Sequence, residues 1–233
     1  MSARYWAVIP AAGAGTRMGA EVPKQYLRLR GKYILEHTLE RFCRHPAIAG
    51  VVVATAADDK LWDSMDVISH SKVMRTSGGR ERCHSVLNGL RFLAGKADAD
   101  DWVLVHDAAR PCVRHEDIDR MITGLATHPV GGILALPVRD TMKRSGDDDE
   151  ILETVDRNRL WHALTPQMFR LQDLTNTLQS AVESDRLVTD EAQAVELSGR
   201  KPKLIAGHPD NIKITHIEDL ALAELYMQLQ ESE

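Results

Sequence analysis

The stretch that decides the fold is residues 5–19, YWAVIPAAGAGTRMG, close to the beginning of the 233-residue chain. Its first six residues form a short apolar run that is typical of a buried strand. The run passes directly into a turn rich in alanine and glycine. Small residues let a backbone approach a ligand closely and present its N–H groups to phosphate oxygens. We therefore expect a strand followed by an anion-binding loop.

Two cations accompany this loop. Arg17 carries a permanent charge with bidentate geometry, and Lys24 follows in the segment PKQ at residues 23–25. A glycine-rich turn beside two cations favours a triphosphate as ligand. The spacing of Gly13, Gly15 and Gly19 matches neither a P-loop nor the strict dinucleotide-binding pattern. A dinucleotide-binding turn and a plain tight turn remain the alternatives.

Beyond this stretch, short apolar runs alternate with helical periodicity. We predict strands at residues 5–10, 50–54, 102–106, 132–137 and 203–206. We predict helices at residues 34–44, 82–93, 117–125, 171–182 and 217–230, with a short helix from Asp190, an extended piece at 211–214 and Thr215 as a helix N-cap. This alternation predicts an α/β fold, a doubly wound and mostly parallel sheet covered by helices on both faces. Ligands of such sheets bind beyond the carboxyl ends of the strands.

Residues 138–158 break the alternation. Strand-like segments at 138–142 and 151–155 flank the turn-forming sequence SGDDDE at 145–150, which predicts a protruding β-hairpin. A lone hairpin is marginally stable in water, so we expect this arm to pack on a second subunit. A mobile surface loop is the alternative. The expected organisation is a single domain over residues 1–233 with an arm at about 138–158.

Composition excludes several classes of protein. The net charge of −5 gives no overall positive field for nucleic acid. Three cysteines, Cys43, Cys83 and Cys112, are odd in number and lack the spacing of a zinc site. They fit reduced thiols in the cytoplasm. We find no secretory signal pattern and no apolar window long enough to span a membrane.

A second loop, GGRERCHS at residues 78–85, precedes a predicted helix. Its paired glycines allow a nucleobase to lie against the backbone. Ser85 could hydrogen-bond the base edge or the sugar. Equally, Ser85 could cap the first turn of the helix without touching a ligand.

A third loop, HDAARP at residues 106–111, follows the strand at 102–106. Asp107 at the carboxyl end of that strand is well placed to hold Mg²⁺ between phosphates, because Mg²⁺ combines one or two protein carboxylates with phosphate oxygens. Arg110 can bind a second anion. The alternative is a salt bridge between Asp107 and Arg110 with no ligand.

These loops belong to an ordered set of segments through nearly the whole chain that resembles the 2-C-methyl-D-erythritol 4-phosphate cytidylyltransferase family of the isoprenoid pathway. The matching segments are VIPAAGAGTRMG (8–19), PKQY (23–26), VHDAARP (105–111), DT (140–141), TVDRN (154–158), LTPQ (164–167), TDE (189–191) and DNIK (210–213). The resemblance implies a Rossmann-like nucleotidyltransferase fold whose hairpin arm is exchanged across a homodimer. It also implies Mg²⁺ as the divalent cation.

The resemblance assigns roles to individual residues. CTP would be held by Pro10, Ala11, Ala12, Gly13, Ala14, Gly15 and Gly79, with Ser85 on the base side. Arg17 and Lys24 would stabilise the transition state, while Lys213 and Arg157 of the partner subunit would position the substrate phosphate. The remainder of the sugar-alcohol phosphate pocket would come from Asp107, Ala108, Arg110, Thr165, Thr189 and the partner's Thr141.

One position departs from the family pattern. Members often carry an acidic residue after the paired glycines, where this chain has Arg80. A side-chain acceptor for the cytosine amino group is therefore not expected there. Backbone carbonyls near Ala12 and Gly79 would have to carry more of the base selection.

The expected reaction transfers CMP from CTP to 2-C-methyl-D-erythritol 4-phosphate and releases pyrophosphate. A ribitol 5-phosphate cytidylyltransferase would share the CTP loops and differ around Thr141, Thr165 and Thr189. A nicotinamide-dependent dehydrogenase would place an acidic residue at the end of its second strand, where this chain has alanine and threonine at 54–57. A non-catalytic nucleotide-binding subunit stays open, and CTP binding without turnover would support it.

Overall fold

The computed structural model describes residues 3–13 and 22–232, which alternate between strands and helices over most of their length. In chain order the elements are β1 Tyr5–Pro10, β2 Arg28–Leu29, β3 Lys32–Tyr33, α1 Ile34–Arg44, β4 Ile48–Thr55, β5 Val73–Ser77, α2 Arg82–Leu93, β6 Trp102–Val105, α3 His115–Leu125, β7 Gly132–Pro137, β8 Met142–Ser145, β9 Ile151–Val155, β10 Trp161–Arg170, α4 Leu171–Glu183, α5 Glu191–Leu197, β11 Lys203–Ala206 and α6 Asp219–Glu231.

Seven of the strands form one sheet in the order β11-β7-β10-β6-β1-β4-β5. β1 pairs in parallel with both β4 and β6, and the pairs β4–β5 and β7–β11 are also parallel. Only β10 runs against its neighbours, between β6 and β7. The predicted mixed α/β fold with a mostly parallel central sheet is therefore confirmed.

Both faces of the sheet are buried, which explains the unbroken apolar run of β1. Ala7 and Ile9 join a cluster that includes residues of α1 and α3. Trp6 and Val8 point to the other face and join residues of α2, α4 and α5. Successive side chains of a strand alternate between faces, so a strand buried on both sides has no polar positions. This arrangement is the doubly wound one.

Several elements have the bounds expected from the sequence, namely β1, α1, α2, β7 and β11. The short helix expected from Asp190 is α5, for which the Asp190 carboxylate caps the N-terminus by accepting from the backbone N–H of Gln193 at 2.9 Å. β9 also has its expected bounds, and the other predicted helices and strands differ from the observed bounds by a few residues at one end or at both ends.

Two strands of the sheet, β5 and β10, were not expected from the sequence. β10 contains Pro166, a residue that argues against a central strand because it cannot donate to the ladder. The sheet accommodates it at an irregularity, since the pairing with β7 shifts register between Ala163 and Gln167. β5 lies at the edge of the sheet, and most of its side chains are half-buried. Its sequence VMRTS therefore lacks a clear pattern of burial.

The expected extended piece at residues 211–214 pairs with no strand of a sheet and bonds to the loop at Ala109 and Arg110 instead. The prediction for the residue that follows it was wrong. Thr215 is not an N-cap acceptor. Its backbone N–H and hydroxyl both donate to the Asp219 carboxylate, at 2.7 and 3.1 Å. The acceptor is thus the first residue of α6, and Thr215 in the preceding loop is the donor.

The hairpin arm consists of β8 and β9, which form their own two-stranded antiparallel sheet. Its first strand begins at Met142, not at residue 138 as predicted, because residues 138–141 approach from the end of β7. Ile151 and Leu152 are each about two thirds exposed, at 66% and 67%. Within one chain, the arm therefore presents apolar side chains with little to cover them.

The three cysteines are buried and form no disulfide. Burial raises the pKa of the Cys43 thiol to about 11 and that of Cys112 to about 12. Both thiols are therefore protonated at neutral pH and serve as core side chains. Within residues 3–13 and 22–232, no helix combines the length and the apolar character needed to cross a bilayer.

Candidate active site

A cleft of 440 Å³ lies where β1, β5 and β6 end and their loops begin. The residues named from the sequence that line it are Pro10, Ala11, Ala12, Gly13, Lys24, Gly79, Ser85, Asp107, Ala108 and Lys213. Three further candidates, Ala14, Gly15 and Arg17, lie outside the described residues. The three sequence loops thus meet at the carboxyl edge of the sheet, as parallel strands require.

Asp107 is the electrostatic centre of the cleft. One of its oxygens accepts from Arg82 Nε at 3.1 Å, while the other faces Lys213 Nζ at 2.9 Å and Arg110 Nε at 3.4 Å. Three cations therefore share one buried carboxylate. The salt bridge to Arg110 that the sequence left as an alternative is present.

The protonation of Asp107 follows from these partners. Burial by itself would raise its pKa, because a charged group loses its hydration. The fields of Arg82, Lys213 and Arg110 outweigh burial and hold the pKa well below its usual range. The carboxylate is therefore charged throughout the physiological range and keeps the three cations together.

A directional chain of hydrogen bonds supports the Asp107 backbone. Its N–H donates to Thr165 Oγ1 at 3.1 Å, and that hydroxyl lies 3.0 Å from His106 Nδ1. His106 Nε2 lies 3.0 Å from the carbonyl of Arg110. Since a carbonyl only accepts, Nε2 carries the proton and Nδ1 accepts from the hydroxyl. Burial lowers the pKa of His106 to about 4, so the ring is neutral at pH 7.

Lys213 is held by the irregular segment that follows β11. The carbonyl of Asn211 accepts from Arg110 Nη1 at 2.8 Å, and the Asn211 amide donates to the Thr165 carbonyl at 2.7 Å. The N–H of Ile214 donates to the Ala109 carbonyl at 2.9 Å. The segment is thus bonded on both sides of Lys213 to the loop that carries Asp107. A lysine that the sequence alone would leave in solvent is directed into the cleft.

Gln25 is a residue of the cleft that the sequence analysis did not single out. Its buried amide donates to the carbonyls of Ala11 and Gly13, at 2.7 and 3.1 Å. It therefore ties the segment carrying Lys24 to the first loop. Gln25 is part of the segment PKQY that resembles the family, and this resemblance could have identified it. Its spacing from residues 11 and 13 does not predict that it bonds to their carbonyls.

At both paired glycines of the second loop, a larger residue would clash with a neighbouring side chain. A Cβ atom on Gly78 would lie 2.2 Å from the Cβ of Ala12, and one on Gly79 would lie 2.4 Å from the Cβ of His84. Real Cβ atoms do not approach so closely. Gly78 therefore lets the second loop pack against the first, and Gly79 lets the second loop fold closely over the start of α2.

Ser85 lines the cleft and also supports the loop that forms it. Its Oγ accepts from the N–H of Gly79 at 3.0 Å and donates to the carbonyl of Glu81 at 3.2 Å. These bonds do not cap α2, whose N-cap residue is Glu81, so the capping alternative was wrong and Ser85 instead ties the glycine loop to the first turn of the helix. Arg80 is almost fully exposed and lies near Glu81, with 3.9 Å between the charged atoms.

Arg82 and Glu191 are a second pair that the sequence did not reveal. The two guanidinium nitrogens Nη1 and Nη2 bind the Glu191 carboxylate at 2.6 and 3.1 Å, while Nε binds Asp107. Glu191 is fully buried at the start of α5. The two residues are 109 positions apart in sequence, so no local sequence pattern predicts that they pair.

Arg110 and Thr165 bond to Asp107 without lining the cleft, and three further candidates lie away from the cleft of their own chain. Thr189 is exposed, and its N–H and hydroxyl both bond to Gln193 Oε1. Thr141 and Arg157 sit at the exposed base of the hairpin arm, where Arg157 donates to the carbonyl of Arg139. None of the three is part of the cleft lining. Within one chain, the structure therefore brings together the cleft candidates but not those of the arm.

The described residues do not fit a metal site of their own. No group of three or more histidine, cysteine, aspartate or glutamate side chains within residues 3–13 and 22–232 is placed to hold an ion. Asp107, the expected ligand, already has both oxygens occupied by cationic donors. A metal at this carboxylate would have to displace them. No chemical step is therefore assigned to a metal held by Asp107.

Similarity to known proteins agrees with this site. The chain matches the family model for 2-C-methyl-D-erythritol 4-phosphate cytidylyltransferase over residues 5–229. A Vibrio vulnificus (strain CMCP6) protein of that name is 55% identical over 221 residues, covering 95% of this chain and 93% of its own. A Pseudomonas putida (strain W619) protein of that name is 54% identical over 217 residues, covering 93% and 92%.

A solved structure extends the agreement to three dimensions. The crystal structure of the Francisella tularensis 2-C-methyl-D-erythritol 4-phosphate cytidylyltransferase superposes with a TM-score of 0.84 at 35% identity, and the match covers 96% of this chain and all of that one. Sequence, fold and cleft thus lead to the same family. The chain belongs to the 2-C-methyl-D-erythritol 4-phosphate cytidylyltransferase family.

Proposed function

We propose that this protein transfers CMP from CTP to 2-C-methyl-D-erythritol 4-phosphate, forming 4-diphosphocytidyl-2-C-methyl-D-erythritol and pyrophosphate in the non-mevalonate isoprenoid pathway. The observation that carries the proposal is the meeting of Lys24, Lys213 and the glycine loops in one cleft at the carboxyl edge of the sheet. Such a cleft suits a reaction between two phosphate-bearing molecules.

The chemistry is an in-line displacement at phosphorus. An oxygen of the substrate phosphate forms a bond to the α-phosphorus of CTP, while the bond from that phosphorus to the β-phosphate oxygen breaks and pyrophosphate leaves. The attacking phosphate is already anionic at neutral pH, so no protein base is needed. The barrier is the approach of two anions, and fixed cations lower it by positioning and by neutralising charge.

The proposed roles follow the position of each cation. Lys24 and Arg17 stabilise the charge that develops on the α-phosphate and on the leaving group. Lys213, fixed by Asp107 at 2.9 Å, aims the attacking phosphate. The Asp107 carboxylate prevents the lysine from turning into solvent and leaves the remaining positive charge of the cleft for the two substrates.

CTP occupies the first and second loops in this proposal. The backbone of residues 10–15 and Gly79 holds the cytidine part, and Ser85 keeps the glycine loop in shape beside the base. Arg80 offers no acceptor for the cytosine amino group. Base selection is therefore assigned to backbone carbonyls near Ala12 and Gly79.

The sugar-alcohol phosphate lies against Asp107 and Ala108, which line the cleft. Arg110 and Thr165, which bond to Asp107, and Thr189 complete this part of the proposed pocket. In this proposal Thr141 and Arg157 come from the partner subunit of a homodimer. Two observations support this part: the arm exposes Ile151 and Leu152, and its two candidates have no role in the cleft of their own chain.

A complementation experiment tests the shared site. Lys213→Ala and Arg157→Ala should each be nearly inactive as pure proteins. After subunit exchange, a mixed dimer has one site with both residues intact, because Lys213 of one chain meets Arg157 of the other. An equal mixture should then recover about a quarter of wild-type activity.

The control is a mixture of Lys213→Ala with Lys213→Ala,Arg157→Ala, which has no intact site in either arrangement. Recovery only in the first mixture supports the exchanged arm. Equal inactivity of both mixtures after verified exchange would mean that Arg157 serves its own chain.

The proposed requirement for a divalent cation, Mg²⁺, rests on the family. Its ligands would come mainly from phosphate oxygens and water, since Mg²⁺ keeps several waters and binds substrate phosphates readily. We also propose a cytoplasmic location, which agrees with three unpaired thiols.

The decisive assay measures pyrophosphate release from CTP and Mg²⁺ with 2-C-methyl-D-erythritol 4-phosphate or D-ribitol 5-phosphate as acceptor. Rapid release with the first alone supports the proposal. Release with ribitol 5-phosphate alone would keep the chemistry but replace the substrate. Tight CTP binding without release from either acceptor would favour a non-catalytic nucleotide-binding subunit.

A further inference from the structure

A second pocket, of 430 Å³, lies between α1, the C-terminal end of α6 and the turn between β2 and β3. Its lining shares no residue with the cleft. Four of its side chains are cations, Arg30, Lys32, Arg41 and Arg44, and only two are carboxylates, Glu40 and Glu231. We call this the basic pocket.

The two carboxylates do not neutralise the four cations. Glu231 binds Arg30 with both oxygens, at 2.7 and 2.9 Å. Glu40 is shared between Lys32 and Arg44. With neutral histidines, the basic pocket keeps an excess of two positive charges, although the whole chain carries a net charge of −5.

Arg41 is the cation without a carboxylate among the described residues. Its guanidinium donates to two neutral acceptors, Gln230 Oε1 at 2.7 Å and the Pro111 carbonyl at 3.3 Å. Burial lowers the pKa of Arg41, although the fields of Asp210 and Glu231 act in the opposite direction. The hydration that the charge has lost is therefore only partly replaced by these carboxylates, neither of which forms an ion pair with it among the described residues. A desolvated cation of this kind is costly unless an anion approaches it.

A concave surface of one sign concentrates its field and attracts an anion. Guanidinium groups match phosphate oxygens with paired N–H donors, and a pocket of this volume accommodates a small molecule. We propose that the basic pocket binds a small phosphate or diphosphate compound that carries at least two negative charges.

The basic pocket is connected to the loop that carries Asp107. Arg41 Nε donates to the Pro111 carbonyl, Gln230 Nε2 donates to the Cys112 carbonyl at 2.9 Å, and Thr38 Oγ1 donates to the Ala108 carbonyl at 2.9 Å. Arg41 and Gln230 of the pocket lining, together with Thr38 of α1 behind it, therefore hold three carbonyls of the segment that follows Asp107. An anion bound to Arg41 would engage the same guanidinium that supports this segment, as a regulatory ligand would.

The test uses inorganic pyrophosphate as the probe and the ring C–H signals of His37 and His115 as the readout. Both histidines line the basic pocket, so their signals report on it even though pyrophosphate also enters the cleft as a product. The signals are assigned by their loss in His37→Gln and His115→Gln. Titrations are made on the full chain at constant ionic strength.

The structure predicts saturable shifts of both signals and opposite effects of two substitutions. Arg41→Gln keeps hydrogen-bond donors but removes one charge, and should weaken binding by at least about tenfold. Glu40→Gln removes a carboxylate, and should tighten binding by about three- to tenfold. Arg91→Gln, on an exposed position of α2, should leave the affinity unchanged.

Shifts that do not saturate, that chloride reproduces, or that keep their affinity in both Arg41→Gln and Glu40→Gln would overturn the proposal. If Arg41→Gln does not fold, Arg44→Gln takes its place, because the Arg44 side chain is 70% exposed and its loss does not disturb the core. Unchanged affinity in that variant together with Glu40→Gln would also overturn it.

Discussion

The cleft and the hairpin arm both carry residues of the proposed site, and the chain holds them in opposite ways. Asp107, Thr165 and Lys213 are fixed by contacts that come from distant parts of the same chain. Thr141 and Arg157 are exposed, the two strands of their arm pair with each other, and Arg157 bonds to Arg139 at the base of the arm. The cleft is therefore organised before any ligand or partner arrives, whereas the arm needs a second surface to become part of a site.

The largest expected effect comes from removing the central charge of the cleft. Asp107→Asn keeps the size of the side chain but leaves Arg82, Arg110 and Lys213 without their shared carboxylate. Loss of one partner from a buried ion pair costs about 3–5 kcal/mol. We expect a decrease of that size in the free energy of unfolding, measured with urea.

The matched control for Asp107→Asn is Asp140→Asn at the exposed base of the arm. It should change the unfolding free energy by less than about 0.5 kcal/mol. A similar loss in both variants would mean that the cleft is no better organised than the arm.

The next effect concerns catalysis. Lys24→Ala removes a cation from the cleft and should reduce turnover by about 10²–10³-fold, the usual consequence of losing one preorganised donor to a transition state. Lys201→Ala, an exposed lysine before β11, is the control and should retain full activity. Turnover of Lys24→Ala within a few-fold of wild type would rule out the proposed role.

A third prediction concerns acid. The pKa of His106 is lowered from 6.5 to about 4 by burial. Between these pH values His106 is protonated in the unfolded chain and neutral in the folded chain. Stability therefore decreases as the pH falls from 6.5 to 4, by roughly 3 kcal/mol from this residue. Below pH 4 its contribution is constant.

His106→Gln removes this titration and retains an amide that can both donate and accept. The variant should show a shallower dependence of unfolding free energy on pH between 6.5 and 4. The difference between the two proteins isolates His106 from the carboxylates that titrate in the same range. Parallel curves for the two proteins would show that the ring is not desolvated.

The smallest effects come from a pair of threonines. Thr165→Ala leaves the Asp107 N–H and His106 Nδ1 without their partner, which should cost about 1–3 kcal/mol of stability. Thr141→Ala on the arm should cost less than about 0.5 kcal/mol. Urea unfolding of both variants gives the comparison directly, and equal costs would contradict it.

The difference between local and long-range contacts also explains which parts of the fold could be predicted from the sequence. β1, α1, α2 and β7 were predicted with their observed bounds, because their burial follows the local periods of strands and helices. β10 was overlooked, because its Pro166 is tolerated through a shift in register that only the pairing with β7 reveals.

The site followed the same division. The loops that form the cleft were found from their own residues, such as the paired glycines and the HDAARP segment. Arg110 was considered as a partner of Asp107 because it is three residues away, but Arg82 and Lys213 were not. Arg82 lies 25 residues away in sequence, and Lys213 approaches from the last third of the chain. Ion pairs between distant segments leave no periodic pattern in the sequence, so they become visible only in the folded structure.

The sharing of one carboxylate by three cations also bears on how such a site can change over evolutionary time. Residues that share a partner have interaction energies of about 0.5–3 kcal/mol, so their substitutions do not add. A change at Arg82, Arg110 or Lys213 thus alters the consequence of a change at the other two. Substitutions at the three positions are therefore coupled. An enzyme of this family that evolved to accept a different substrate would have to replace them together.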